Sequence, residues 1–142
     1  MNKTCTIPVA SLPTAHKHAY NPSILDVHGM GMITYRWHPK DASWRTEIAL
    51  EYDGRTKPVL PPVEYAKYSH EDGRLFMLNG KAHLSLTLSR SRMNGQSRNP
   101  SVTGYGELVQ ETDCWKLVNW IEPQYGDNNW TGVCKNLVFF EA

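Results

Sequence analysis

Ser69-His70-Glu71-Asp72-Gly73-Arg74 sets two adjacent carboxylic acids and a guanidinium at the mouth of an apolar run, Leu75-Phe76-Met77-Leu78. Charges beside a buried strand cost free energy unless they are paired or used. Pairing would be a salt bridge from Arg74 to Glu71 or Asp72 that pins a loop. Use would be acid–base work, for which neighbouring carboxyls are suited. Other candidates are weaker. His16-x-His18 would point two rings to one side of a strand, but no third ligand stands near them, so no metal site is expected. Cys5, Cys114 and Cys134 are an odd number without a CxxC pair, which argues against cysteine-bound zinc and for unpaired thiols in a reducing compartment. Arg90, Arg92 and Arg98 share a polar loop, Ser89 to Pro100, that could meet phosphate or simply be solvated.

The elements that must position the acids are strands. Asn79-Gly80 is a tight-turn dipeptide, and Ala82 to Leu88 is a return strand. Upstream, Tyr20-Asn21-Pro22-Ser23-Ile24-Leu25 opens a strand, His28-Gly29 turns it, and Met30 to Trp37 returns. Trp44 to Leu50 alternates well enough for a third strand, ended by Asp53-Gly54. Pro58, Pro61 and Pro62 make residues 57–63 read as a linker. Downstream, Val102 to Gln110 and Trp115 to Trp120 are two further strands, and Lys135 to Phe140 opens another.

The three polar openings, at Asn21, Asp72 and Asn136, are spaced by roughly fifty and then sixty-odd residues, with about four strands per unit and no helix. That period predicts an all-β fold, a partial five-bladed β-propeller. Its organisation would be an N-terminal segment at 1–20, a first blade at 21–63, a second at 64–122 and the start of a third at 123–142. The openings would be innermost strands whose first residues converge on the axis. A compact sandwich or barrel using the same strands is the alternative. On the propeller reading the chain is the N-terminal part of a longer protein.

The 142 residues suffice for one ordinary domain with a sizeable core, given five Trp and seven Tyr. A net charge of +1 gives no general pull toward nucleic acid or anionic lipid. No apolar run approaches a membrane span, and Met1 to Thr14 lack a signal-peptide core, so the expected location is cytoplasmic.

Five motifs in register resemble the five-bladed β-mannoside phosphorylase family of inverting glycoside phosphorylases and hydrolases. Asn21-Pro22-Ser23-Ile24 resembles its NPxx opening, and Tyr35-Arg36 its YR strand end. Trp44 to Leu50 with Asp53-Gly54 resembles its third strand and turn. Glu71-Asp72-Gly73-Arg74 resembles its EDPR signature, and Lys135-Asn136-Leu137-Val138-Phe139-Phe140-Glu141 its KNxxLFPE segment. The resemblance implies that Asp72 is the general acid and that Asn21, Arg36, Glu71 and Arg74 line the sugar site. It implies that Lys135 and Asn136 help hold phosphate, as co-substrate and in place of any metal or organic cofactor. The implied partner is an oligosaccharide or mannoside-like glycoside, with neither nucleic acid nor membrane involved. Hydrolysis by water, and glycan binding without catalysis, are the alternatives. As a fragment, the chain would be catalytically silent and prone to self-association through an open edge at Leu137 to Phe140.

Overall fold

A computed structural model describes residues 19–40, 45–90 and 101–123. Among the described residues it is all-β, apart from one 3₁₀ turn at Val63–Tyr65. The strands are β1 (Tyr20–Val27), β2 (Met30–Trp37), β3 (Glu47–Tyr52), β4 (Arg55–Leu60), β5 (Ser69–Leu78), β6 (Lys81–Ser89), β7 (Ser101–Gln110) and β8 (Trp115–Ile121). Three hairpins turn where short polar–glycine pairs were expected to turn them. Their residues take the left-handed backbone such turns require: His28 and Gly29, Asp53 and Gly54, Asn79 and Gly80 all have positive φ.

Strands β1–β4 and β5–β8 form two antiparallel meanders. They join into one eight-stranded sheet in the order β1-β2-β3-β4-β8-β7-β6-β5. The join is a short parallel pairing of Val59 and Leu60 with Trp115 and Lys116. At the other end of the order, β5 packs against β1, β2 and β3, so the sheet curls into a nearly closed, barrel-like form. Two side-chain bonds cross the remaining gap: Leu75 N donates to Ser23 Oγ at 2.9 Å, and Asn21 Nδ2 donates to Asp72 Oδ1 at 3.3 Å.

The core follows strand alternation. On β6, Leu84, Leu86 and Leu88 face one way and join Met32, Ile48, Leu50, Val59, Leu75, Leu108, Trp115 and Leu117 in a single apolar cluster. The opposite face of β6 is buried as well, yet polar, and Ser85 and Thr87 on it are hydrogen-bonded, while Ser89 Oγ has no hydrogen-bond partner among the described residues. Thr87 meets its cross-strand neighbour Thr103 through their hydroxyls at 3.1 Å, and Ser85 Oγ donates to the Arg74 carbonyl at 3.4 Å. The 3₁₀ turn is tied down through Glu122, which accepts from Tyr65 Oη and, at 2.9 Å, from Trp120 Nε1.

Two local expectations are corrected. Residues 57–63 are not simply a linker, because Arg55–Leu60 is strand β4, with Pro58 opposite Ala49. Pairing with β8 begins only at Val59, which leaves an open edge at Pro58, the setting in which a strand carries proline without losing a ladder bond. The acids, too, are not at the mouth of a strand but inside one, since β5 starts at Ser69. A β-bulge between Glu71 and Arg74 interrupts the ladder there. The third strand, expected from Trp44, starts at Glu47 and runs on to Tyr52; Trp44 itself lies outside the described residues.

Candidate functional site

The first strand of each meander bulges near its start. On β1 the register shifts between Tyr20 and Ser23; on β5 it shifts between Glu71 and Arg74. Asn21 and Asp72 occupy these two bulges with the same left-handed backbone, φ 51° in both. Asn and Asp tolerate that conformation better than other residues with a side chain. Because β1 lies against β5, the two bulges meet, and the Asn21 amide donates to the Asp72 carboxylate.

Arg36, near the end of β2, completes the group. Its Nη2 lies 3.6 Å from Glu71 Oε1 and its Nη1 lies 3.8 Å from Asp72 Oδ1. One guanidinium thus faces two carboxyl groups, and all three side chains are about one-sixth exposed (17%, 15% and 16%). They are reachable from solvent but shielded enough for their charges to interact more strongly than on an open surface. The Tyr20 ring lies under the guanidinium, 5.2 Å from Cζ to centroid, a cation–π contact. Tyr20 in turn stacks with His38 at 5.9 Å and shares a 3.1 Å hydrogen bond between Oη and Nε2.

A buried pair of hydroxyls aims the guanidinium. Arg36 Nε donates to Thr46 Oγ1 at 2.8 Å, and Thr46 Oγ1 donates its proton to the His70 carbonyl at 2.8 Å. A hydroxyl has one proton and two acceptor positions. The 3.0 Å contact between Thr46 Oγ1 and Ser69 Oγ must therefore be a donation from Ser69, which itself accepts from Thr46 N at 3.0 Å. The Thr46 hydroxyl is saturated: two bonds accepted, one donated. Both residues are 1% exposed. The His70 N–H also donates to the Thr46 carbonyl at 2.8 Å, so this knot fastens the start of β3 to the start of β5.

Asn21, Arg36, Glu71 and Asp72, singled out from sequence, are thus brought together from three strands. Arg74 is placed differently. The guanidinium paired with the acids comes from β2 of the other meander, because β1 and β2 lie against β5; Arg74 Nη1 donates to the adjacent Gly73 carbonyl at 3.1 Å. Lys135 and Asn136, the expected edge at Leu137 to Phe140, and His16 and His18 lie outside the described residues. Sequence reasoning missed Tyr20, His38, Thr46 and Ser69. Tyr20 adjoins the Asn-Pro opening, but Thr46 and Ser69 carry no signal, being ordinary hydroxyl residues at or just before strand starts.

The arrangement offers amide, guanidinium and carboxyl groups on a small, half-shielded surface beside an aromatic ring. Such a set can hold a polyhydroxylated ligand through several charge-assisted hydrogen bonds, and either carboxyl can exchange a proton with it. No protein-family model, curated protein or solved structure matches the chain.

Proposed function

We propose that the two meanders are two blades of a five-bladed β-propeller, and that the chain belongs to a carbohydrate-active protein of the inverting glycoside phosphorylase and hydrolase kind. The observation that carries the reading is the meeting of Asn21 and Asp72 at equivalent bulges of equivalent strands. Innermost propeller strands lie side by side around an axis and present their openings at one end. Two four-stranded meanders whose first strands pack together, with polar bulges in contact, support that arrangement; the pairing of their last strands, β4 and β8, into one barrel-like sheet departs from it.

On this reading Asn21, Arg36 and Glu71 bind the sugar, and Arg74 lies beside them on β5. Asp72 gives its proton to the leaving oxygen as general acid. An anionic phosphate attacks the anomeric carbon from the opposite face, or a water does so while giving its proton to a second, distant carboxylate acting as general base; either inverts the configuration. Lys135 and Asn136 would serve the phosphate option. The substrate class is a mannoside-like glycoside, and the reaction needs no metal.

A second reading, glycan binding without catalysis, is favoured by one feature of the site. Asp72 Oδ1 already accepts from Asn21 and faces Arg36, so the acid is held within the chain's own polar network. Saturation-transfer NMR with methyl mannoside, together with a hydrolysis and phosphorolysis screen, tests both. Binding that Arg36→Ala abolishes supports a carbohydrate site. Turnover of an alkyl mannoside that Asp72→Asn slows by about 10²–10⁴-fold marks a general acid. An activated aryl mannoside needs less protonation and should lose less. Binding without turnover selects the second reading, and no binding at tens of millimolar sugar refutes both.

A further inference from the structure

The eight strands curl around the leucine face of β6, so its opposite face points out of the barrel, together with the facing positions of β5 and β7. The strand register sets Phe76 beside His83, Ser85 beside Tyr105 and Thr87 beside Thr103 on that outer face. An antiparallel sheet commonly leaves such a face in water. This one is dry: Phe76, His83, Ser85, Thr87 and Thr103 are between 2% and 9% exposed. Serine and threonine are too short to shield themselves to that degree. The first meander lies on the other side, where Met32, Ile48, Leu50 and Val59 pack with the leucines. The cover must come from chain outside the described residues.

The chemistry of the face narrows the choice. One end of it is a cluster of rings, with Phe76, His83 and Tyr105 separated by 5.5, 5.7 and 6.3 Å between centroids. Such a cluster gains most from an apolar or aromatic neighbour. Residues 1–18 and 91–100 contain no Phe, Tyr or Trp, and residues 41–44 join β2 to β3 in the other meander. Residues 124–142 contain the run Leu137-Val138-Phe139-Phe140. Aliphatic, β-branched and aromatic residues in succession suit an extended segment laid on a sheet. The route is short as well. The chain leaves β8 at Ile121, which pairs with Tyr105 at the edge of the ring cluster. Residues 122–136 can span up to roughly 50 Å, against about 15 Å from β8 across to β5.

We propose that residues 137–140 are held within their own chain, laid over the outer face of β5, β6 and β7, with the ring of Phe139 or Phe140 against Phe76. The inference does not rest on the carbohydrate reading. It assigns to an intramolecular contact a run that, left uncovered, would be a template for pairing with another copy.

The sequence holds three phenylalanines, Phe76, Phe139 and Phe140, so the contact can be read in isolation. In a deuterated chain carrying protonated, ¹³C-labelled phenylalanine, the nuclear Overhauser spectrum should show a cross-peak from the Phe76 ring to one of the other two. Phe76→Leu should remove that peak and leave any between Phe139 and Phe140. Dilution with an excess of fully deuterated chain should leave its strength per labelled chain unchanged. A soluble gadolinium chelate gives a second readout. In the parent it should broaden the Thr87 and Thr103 methyl signals as little as those of Leu84, Leu86 and Leu88. Phe139→Asp combined with Phe140→Asp should expose the threonines and leave the leucines protected. Absence of the Phe76 cross-peak, its disappearance on dilution, which would put a second copy on the face, or threonine methyls still protected in the double variant would overturn the proposal. Should the double variant fail to fold, the spectra of the parent and of Phe76→Leu still decide.

Discussion

Replacing Thr46 by valine removes one oxygen from a site 1% exposed and keeps the shape. Three bonds go with it: the acceptance from Arg36 Nε, the acceptance from Ser69 Oγ and the donation to the His70 carbonyl. Two are neutral, at about 0.5–1.5 kcal/mol each, and one involves a guanidinium, at about 1.5–3 kcal/mol. The charged bond must be discounted, because the Arg36 side chain is 17% exposed and water can replace part of what it loses. Backbone bonds between the segments survive, since Thr46 N still reaches Ser69 Oγ and His70 N still reaches the Thr46 carbonyl. The expected cost is about 2–4 kcal/mol, or about 6–12 °C in Tm for a chain of this size. Urea unfolding monitored by Trp fluorescence measures it. Ser69→Ala completes a double-mutant cycle, and the shared hydroxyl contact should make the pair non-additive by about 0.5–3 kcal/mol. A Thr46→Val chain within about 0.5 kcal/mol of the parent would refute the saturated-hydroxyl assignment, as would strict additivity.

Other outcomes follow from the same geometry. A Cβ at Gly104 would stand 2.5 Å from Trp120 Cζ2 and 2.6 Å from the Ile121 carbonyl, so Gly104→Ala should cost about 1–3 kcal/mol in a thermal melt. Gly31→Ala, with nothing within 4 Å, should stay within about 0.5 kcal/mol. His70 titrates near 4 when folded against 6.5 for the free side chain, so between these values the unfolded chain binds a proton that the folded chain does not. Stability from this residue is thus complete above about pH 6.5 and is lost as pH falls toward about 4, to the extent of roughly 3 kcal/mol. Urea midpoints from pH 4 to 8 should show that slope, and His70→Phe should flatten it. Arg36→Lys should weaken methyl mannoside binding in saturation-transfer NMR nearly as much as Arg36→Ala, because an ammonium reproduces neither the Nε bond to Thr46 nor the stack on Tyr20. Full rescue by lysine would reduce the role of Arg36 to bare charge.

Much of the fold is local and could be read directly. His28-Gly29, Asp53-Gly54 and Asn79-Gly80 turn the chain because few other residues accept positive φ, and that preference is written in each dipeptide. Leu84, Leu86 and Leu88 mark a buried face because strand side chains alternate. The correspondence of Asn21 with Asp72 was also legible, as a repeated polar residue before a repeated apolar strand. Its geometric counterpart is a shared bulge with the same φ. What failed was a rule applied without context: Pro58 bars a strand only where its missing N–H would have had a partner, and β4 pairs with β8 only beyond it.

The sequence by itself determined the strands other than β4, their turns and which residues are polar at the two openings, because those depend on neighbours a few positions away. Only the tertiary structure decided that Arg36 rather than Arg74 answers the acids, since that depends on β1 and β2 of one meander lying against β5 of the other. It alone decided that Thr46 and Ser69 hold the guanidinium in place. A hydroxyl is nearly neutral in strand preference and in hydropathy, so its role is set by what surrounds it: 1% exposure, one proton and three partners from two other strands.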